Sequence, residues 1–303
     1  MSGVIAMELG AHEVKLVESD ANRLTKHAAV LLKDAGFIDG MPTSALTAGM
    51  RSAMELAGCT AEGAFVAIPD IDVAIRDFPL PAIPGKDLSR AVMYEARRLV
   101  PIRPSDVYYA WHATPTSFGH AVYLVAARRN MIDAIALAVS AVGLRLERMD
   151  LKPLALARGA GAHDGLVLEW GLAEATLVLM VQGRPRFFRT LLLDAPPEDS
   201  EAQLDELALS FDALLKFIRS AEPDVTIGPT TPLFIGGRFA LVDQGTERAR
   251  QRFDFAVQQP VAPAGCPPGF PWQAHVASLG LLRTRAWRSR LTPLEGGDLR
   301  AAA

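Results

Sequence analysis

The sequence predicts an α/β fold of two related halves with mixed sheets, and three observations carry that reading. First, a hairpin-like segment occurs twice: residues 4–18 read VIAMELGAHEVKLVE and residues 166–180 read LVLEWGLAEATLVLM. A gapless alignment of the two at an offset of 161 residues places Glu8 on Glu169, Gly10 on Gly171, Glu13 on Glu174, and Leu16 and Val17 on Leu177 and Val178. Each copy is an apolar strand, a glycine-containing turn and a second apolar strand, the pattern of a β-hairpin. Second, helical and strand-like patterns are mixed along both halves. Third, residues 79–147 read as a compact helix–strand–strand–helix unit within the first half.

The elements follow in order. After the first hairpin, residues 42–57 predict a helix and AFVAIP at 64–69 a buried strand ended by proline. Residues 72–81 alternate as a further strand. In 85–100, Leu88, Ala91, Val92, Ala96 and Leu99 form one helical stripe, and Pro101 stops the helix. Strands at 107–113 and 121–127 flank a turn at 115–119, and a helix over 131–142 ends on Gly143. In the second half a third strand, RFFRTLLL at 186–193, follows the hairpin. Leu204, Leu207, Phe211, Leu214, Leu215 and Ile218 recur at helical spacing over 201–220. TPLFI at 231–235 is strand-like and leads through Gly236–Gly237 to a helix. Residues 260–271 are a proline-rich loop, 271–288 a last helix, and 296–303 a disordered tail.

Composition bounds the chemistry. The 303 residues carry 31 Lys+Arg against 34 Asp+Glu, a net charge of -3 that implies no polyionic partner. Half the residues are hydrophobic, ample for a core. Cys59 and Cys266, the two cysteines, match no metal or disulfide framework and fit a reduced cytoplasmic protein. The N-terminus lacks signal-peptide features. The longest helix-like apolar stretch, Ile132 to Leu144, carries Asp133 and is too short for about 30 Å of hydrocarbon.

Familiar catalytic signatures are missing: no Gly-x-Ser-x-Gly elbow, His-Glu-x-x-His pair, Cys-x-x-Cys pair or Walker loop. Gly159, Gly161 and Gly165 fail the dinucleotide fingerprint because Asp164 stands where its last glycine belongs. His112 and His120 are placed to face each other across a hairpin but lack a third ligand, so no metal site is assigned. Three glycine turns remain, at Glu8–Leu9–Gly10, Glu169–Trp170–Gly171 and Ile235–Gly236–Gly237. Such turns at strand ends suit a cleft whose backbone N–H groups hold phosphates.

With the segments between them, these turns resemble the actin-like ATPase superfamily, and specifically the PilM family of the type IV pilus inner-membrane platform. VAIPDIDVAIRDFPLP, KDLSRAVMYEARRLVPI and VYLVAARRNMIDAIALAVSAVGLRLERMDLKPLALAR are similar to that family in order and spacing over residues 60–195. The first hairpin, LFIGG and HVASLGLL extend the resemblance along almost the whole chain. It implies two ribonuclease-H-like subdomains. The first is residues 1–78 with about 148–164 and 275–290, and the second 165–274. An inserted subdomain covers 79–147, and 291–303 form a tail. It also implies ATP between the halves and a groove near the insert for the cytoplasmic N-terminal peptide of a PilN-like membrane protein.

The sequence departs from the family at the turns. Glu8 stands for the family's aspartate, and Ala11, His12 and Glu13 for its hydroxyl residues, whereas Gly10 and Lys15 are retained. A carboxylate a few ångströms from a phosphate costs on the order of 1–4 kcal/mol. The second turn, Glu169-Trp170-Gly171-Leu172-Ala173-Glu174, changes in the same way, and Arg238 and Phe239 follow Gly236–Gly237. The helices that usually help to enclose adenosine are absent between Leu193 and Glu201. Glu8, Gly10, Lys15, Glu169, Gly171, Gly236 and Gly237 therefore mark a vestigial nucleotide cleft, with no cofactor expected and no catalytic residues assigned. The rival reading keeps ATP and Mg, with Lys15 on the phosphates and Glu8 or Glu169 on a metal-bound water.

Without nucleotide, partner binding is the function the resemblance leaves. Val66, Ile68, Tyr94, Arg97, Arg98, Leu99, Val100 and Pro101 are the assigned partner surface. The expected protein is a cytoplasmic scaffold, peripheral to the inner membrane through its PilN-like partner and joined by other platform proteins. The variant reading is a GspL-like part of a type II secretion platform. Arg283, Arg285, Arg288 and Arg290 around Trp287 form a solvated face or a contact with anionic lipid. Nothing supports nucleic-acid binding.

Overall fold

Two sheets of identical topology, each built around one copy of the repeated hairpin, dominate the computed structural model, which describes residues 3–263 and 265–283. In chain order the first half contains β1 (Val4–Leu9), β2 (Glu13–Asp20), β3 (Arg23–Leu31), the two-residue strands β4 (Phe37–Ile38) and β5 (Met41–Pro42), α1 (Ser44–Ala57) and β6 (Gly63–Ile68). The insert follows as β7 (Val73–Pro81), α2 (Gly85–Leu99), β8 (Val107–Thr116), β9 (Gly119–Arg128) and α3 (Arg129–Ala141). β10 (Arg145–Leu151) and α4 (Lys152–Ala160) lead into the second half: β11 (Gly165–Trp170), β12 (Glu174–Val181), β13 (Arg184–Leu192), α5 (Ser200–Ala221), β14 (Pro232–Gly237), α6 (Gly245–Arg252), β15 (Ala256–Gln258) and α7 (Val276–Leu282).

The first sheet runs β10-β6-β1-β2-β3 and the second β15-β14-β11-β12-β13. An offset of 161 residues superimposes their registers. Val4 pairs with Ser19 and Gly165 with Met180; Glu13 pairs with Leu31 and Glu174 with Leu192. Even the register shift repeats, at Glu18/Ser19 and at Leu179/Met180. Turn hydrogen bonds repeat too: Gly10 N–H donates to the Glu13 carbonyl (2.8 Å) and Gly171 N–H to the Glu174 carbonyl (2.7 Å). The duplication read from the hairpin thus extends through a third strand in each half.

α4 and α7 tie the halves together by crossing over. α4, which follows the first sheet, packs Leu156, Ala157 and Ala160 on Val167, Val178 and Met180 of the second. α7, which follows the second sheet, packs Leu279 and Leu281 on Ala6, Val17 and Ala67 of the first. Their contact is backbone-close. A Cβ on Gly159 would collide with the Val276 carbonyl, and one on Gly280 with the Ala155 carbonyl. In the second half α5 buries Leu204, Leu207, Phe211, Leu215 and Ile218, the stripe expected from its spacing. Asp199 caps it, accepting from Ala202 N–H at 3.0 Å.

The described chain falls into two compact units, one of residues 3–38, 43–70 and 139–283, the other of 39–42 and 71–138. The second has its own three-stranded sheet, β7-β9-β8, with Val92 and Ala96 of α2 packed on Phe78, Tyr109, Val122 and Leu124. The expected boundary at 79 falls inside β7, which pairs along its length with β9. The expected boundary at 147 falls inside β10, which pairs with β6. Neither end was readable locally, because an edge strand does not announce which sheet it joins. The β8–β9 strands also run further than expected, leaving Ser117–Phe118 as the turn. Their register pairs His112 with Tyr123 and His120 with Pro115. The two histidines therefore lie on opposite sheet faces, and the facing pair expected from sequence does not exist. Of the C-terminal arginines, Arg285, Arg288 and Arg290, together with Trp287 and the 291–303 tail, lie outside the described residues.

Candidate functional site

The repeat brings the residues assigned to the cleft to one place. β1 and β11 are the central strands of their sheets, so the carboxylates near their C-terminal ends, Glu8 and Glu169, are carried into the space between the halves. Lys15 pairs with Glu8 across β1–β2, and Gly236 with Glu169 across β11–β14. Glu13 and Glu174 open β2 and β12 beside the two turns. Lys152, the first residue of α4, completes the set. All six ionisable side chains are buried, none with more than 3% of its surface exposed.

Two ammonium groups bind four carboxylates. Lys15 Nζ lies 3.2 Å from Glu8, 3.6 Å from Glu13 and 3.0 Å from Glu169. Lys152 Nζ lies 2.9 Å from Glu8, 3.4 Å from Glu169 and 2.6 Å from Glu174. Burial pushes the Glu8 carboxyl up, but Lys15 and Lys152 outweigh it and hold the group down at about 2. Burial dominates at Glu13, which is pushed up to about 7 despite Lys15, with Glu8 adding to the rise. Glu169 is raised by burial and by Glu8. Burial disfavours both ammoniums, yet the carboxylates around them raise Lys15 and Lys152 above the usual lysine value. Next to the cluster, burial pushes His275 down to about 3, leaving it neutral; it packs against His27 with ring centroids 5.4 Å apart.

The turns are strapped reciprocally. Glu174 of the second half lies on Gly10 of the first, where a Cβ would come within 2.9 Å of Glu174 Oε1, and Ala11 N–H donates to Glu174 Oε2 at 3.0 Å. Glu13 of the first half lies on Gly171 of the second, leaving no room for a Cβ there. The glycines of the third turn answer to packing: Gly236 sits 2.9 Å, Cβ-equivalent, from Val276, and Gly237 (φ 74°) abuts the Trp170 carbonyl. Trp170 points into the second-half core against Phe239, its indole N–H donating to Gln203 Oε1 at 3.1 Å. Arg238 reaches over the Trp170 ring, donating to Gln203 and, at 2.7 Å, to the Pro197 carbonyl. β13 connects to α5 through residues 193–199 alone, with no helix between them.

All seven predicted cleft residues thus converge. Sequence reading missed Lys152 as a member: an isolated lysine resembles a solvated one, and only its place in the apolar run LKPLALA signals otherwise. The predicted partner surface divides. Tyr94, Arg97, Arg98 and Pro101 are exposed, Tyr94 at 72%, and Leu99 is half-buried. Val66, Ile68 and Val100 are buried in the core, Val66 in the interior strand β6, so these three cannot offer side chains to a partner.

Two sheets of repeated topology, joined by crossed helices and meeting at paired glycine turns, define the actin-like fold, here with an inserted α/β unit. Among solved structures the chain is similar to the PilM-PilN type IV pilus biogenesis complex, with 22% identity, 92% of this chain and 98% of that one covered, and a TM-score of 0.68. It is also similar to the cytoplasmic domain of EpsL, an inner-membrane component of the type II secretion system of Vibrio cholerae (11% identity, 94% and 96% covered, TM-score 0.54). The ethanolamine utilization protein EutJ from Carboxydothermus hydrogenoformans shares the fold as well (16% identity, 93% and 89% covered, TM-score 0.51). No protein-family model and no curated protein matches the chain.

Proposed function

We propose that this chain is a non-hydrolytic scaffold of a type IV pilus assembly platform, holding the cytoplasmic segment of a PilN-like inner-membrane protein. The buried ion cluster carries the reading. A polyphosphate needs free N–H groups and uncompensated positive charge. In this cleft the Ala11 N–H is bound by Glu174, and each lysine is surrounded by three carboxylates. The residues present therefore do not fit Mg-ATP. The fold it shares with PilM and with cytoplasmic EpsL supports a platform role over an enzymatic one. Among the described residues no helix is long and apolar enough to cross a membrane, which suits attachment through a partner. A GspL-like place in a type II secretion platform is the variant reading, separated from the first by which membrane protein binds.

Titration calorimetry with Mg-ATP tests the cleft: no binding heat is expected, and a micromolar dissociation constant would return the chain to the nucleotide-binding class. For the partner, we assign the exposed face of α2 at Tyr94, Arg97 and Arg98, with exposed Pro101 just beyond the helix. A pull-down with the N-terminal cytoplasmic peptide of the PilN-like protein should retain the chain. Undiminished retention of a Tyr94→Ala/Arg97→Glu variant would remove these residues from the interface.

A further inference from the structure

The meeting of the two halves is electrically unbalanced. Four glutamates face two lysines, so full ionisation would leave two negative charges uncompensated where none of the six side chains exceeds 3% exposure. Glu8 Oε2 is buried without a hydrogen-bond partner, and Glu13 Oε1 and Glu169 Oε2 have only the longer ion-pair contacts to Lys15 (3.6 Å) and Lys152 (3.4 Å). The neighbouring groups do not restore balance. Arg238, on the short helix after β14, donates to Gln203 and the Pro197 carbonyl and touches no carboxylate of the cluster; its charge acts on Glu13 from beyond contact and offsets the excess only in part. His275, ahead of α7, is neutral, and His27 of β3 packs behind it. Glu8, Glu13 and Glu174 bring oxygens within 4.8 Å of one another. But the Lys15 and Lys152 ammonium groups already stand among them and would repel a further cation, which leaves protons to supply the missing positive charge.

We propose that the cluster is a proton-loaded latch: Glu13 of the first half strapped on Gly171 and Glu174 of the second strapped on Gly10 take the places of a bound anion, and the protons that neutralise their excess charge hold the halves closed. Glu13 at about 7 and the raised Glu169 are the carriers. In an actin-like frame a ligand between the halves would bridge them; this chain supplies that bridge from its own side chains. Loss of the protons leaves like charges facing across the junction in a poorly screened interior, which weakens the closed state. The proposal rests on the reading of the cleft as closed to nucleotide.

Native-state hydrogen exchange of the full chain at pH 5.5 and 8.5, corrected for intrinsic exchange, reads the latch at Ala11 and in α4 and α7. For a carboxyl moved from its ordinary value to about 7, the opening equilibrium there should rise on the order of thirty-fold across that range. Unit 71–138 should show no such rise. Glu13→Gln, and separately Glu169→Gln, should flatten the profile and leave these amides better protected than wild type at pH 8.5. A wild-type profile without pH dependence would overturn the latch, as would the full rise persisting in both variants. That failure would leave the scaffold reading standing if Mg-ATP still gave no heat, whereas binding of Mg-ATP would overturn the scaffold reading whatever the exchange showed.

Discussion

Lys152 occupies a place that helix electrostatics disfavours. It is the first residue of α4, where the unsatisfied N–H groups present partial positive charge, and it is 1% exposed. Its stability there depends on Glu8, Glu169 and Glu174, so Lys152→Ala would leave carboxylates buried with one ammonium fewer. We expect a loss of about 3–5 kcal/mol in urea denaturation at pH 7. The cluster also sets an unusual pH dependence. Glu13, raised to about 7, binds a proton in the folded state that the unfolded chain releases near its ordinary value of 4.5. Its contribution is therefore complete below that value and is lost as pH rises toward 7. Glu8, lowered to about 2, works in the opposite sense: its contribution is present above 4.5 and is lost as pH falls toward 2. The cluster favours folding most in mildly acid solution. Glu13→Gln should reduce the loss of melting temperature between pH 4.5 and 7, the remainder belonging to the raised Glu169, while leaving the acid limb intact. At this scale the sequence was informative about Glu8 and Gly10 because they recur in the second copy, and about Lys15 because the resemblance retains it after the first turn. It was silent about Lys152, whose partners lie in other elements and whose charge is explained only by three-dimensional neighbours.

Among the elements, the crossed pair α4–α7 carries the tightest constraint. Gly159 meets the Val276 carbonyl and Gly280 the Ala155 carbonyl, a reciprocal contact that admits no side chain. Gly280→Ala should destabilise by about 1–3 kcal/mol through overpacking against backbone that cannot rotate away. Gly85→Ala, at the start of α2 with nothing near its Cβ position, should be neutral or slightly stabilising. Comparing their urea midpoints checks both. Helices with a strong stripe, α2 and α5, were legible because burial against one face imposes the 3.6-residue period. β3 and β10 were not: in β3 the charged Lys26 stands on the inward-facing side between Leu24 and Ala28, and in β10 a register shift at Leu146/Arg148 interrupts the alternation. α4 was missed for a related reason: it is buried on most sides and has no polar face to set a period.

For the whole molecule, duplication separates two roles. The unit holding both sheets carries the ion cluster, while unit 71–138 has an apolar core of its own around Val92, Tyr109 and Leu124. The actin-like architecture could be read from the order of segments because duplication repeats a pattern that chance rarely repeats. The insert's limits could not, because β7 and β10 are assigned to sheets by long-range pairing alone. Separate cores predict separable phenotypes, since distant sites without shared partners combine additively. Tyr94→Ala with Arg97→Ala removes exposed side chains from α2, so it should weaken binding of the PilN-like peptide by about tenfold, with no shift in the urea midpoint. Glu13→Gln should do the reverse, moving the midpoint at pH 8 and leaving peptide affinity unchanged. Fluorescence anisotropy of the labelled peptide beside urea titrations of the same preparations measures both. If Glu13→Gln instead changed peptide affinity, the two units would be energetically coupled, and the scaffold would have to be redescribed as a proton-responsive switch.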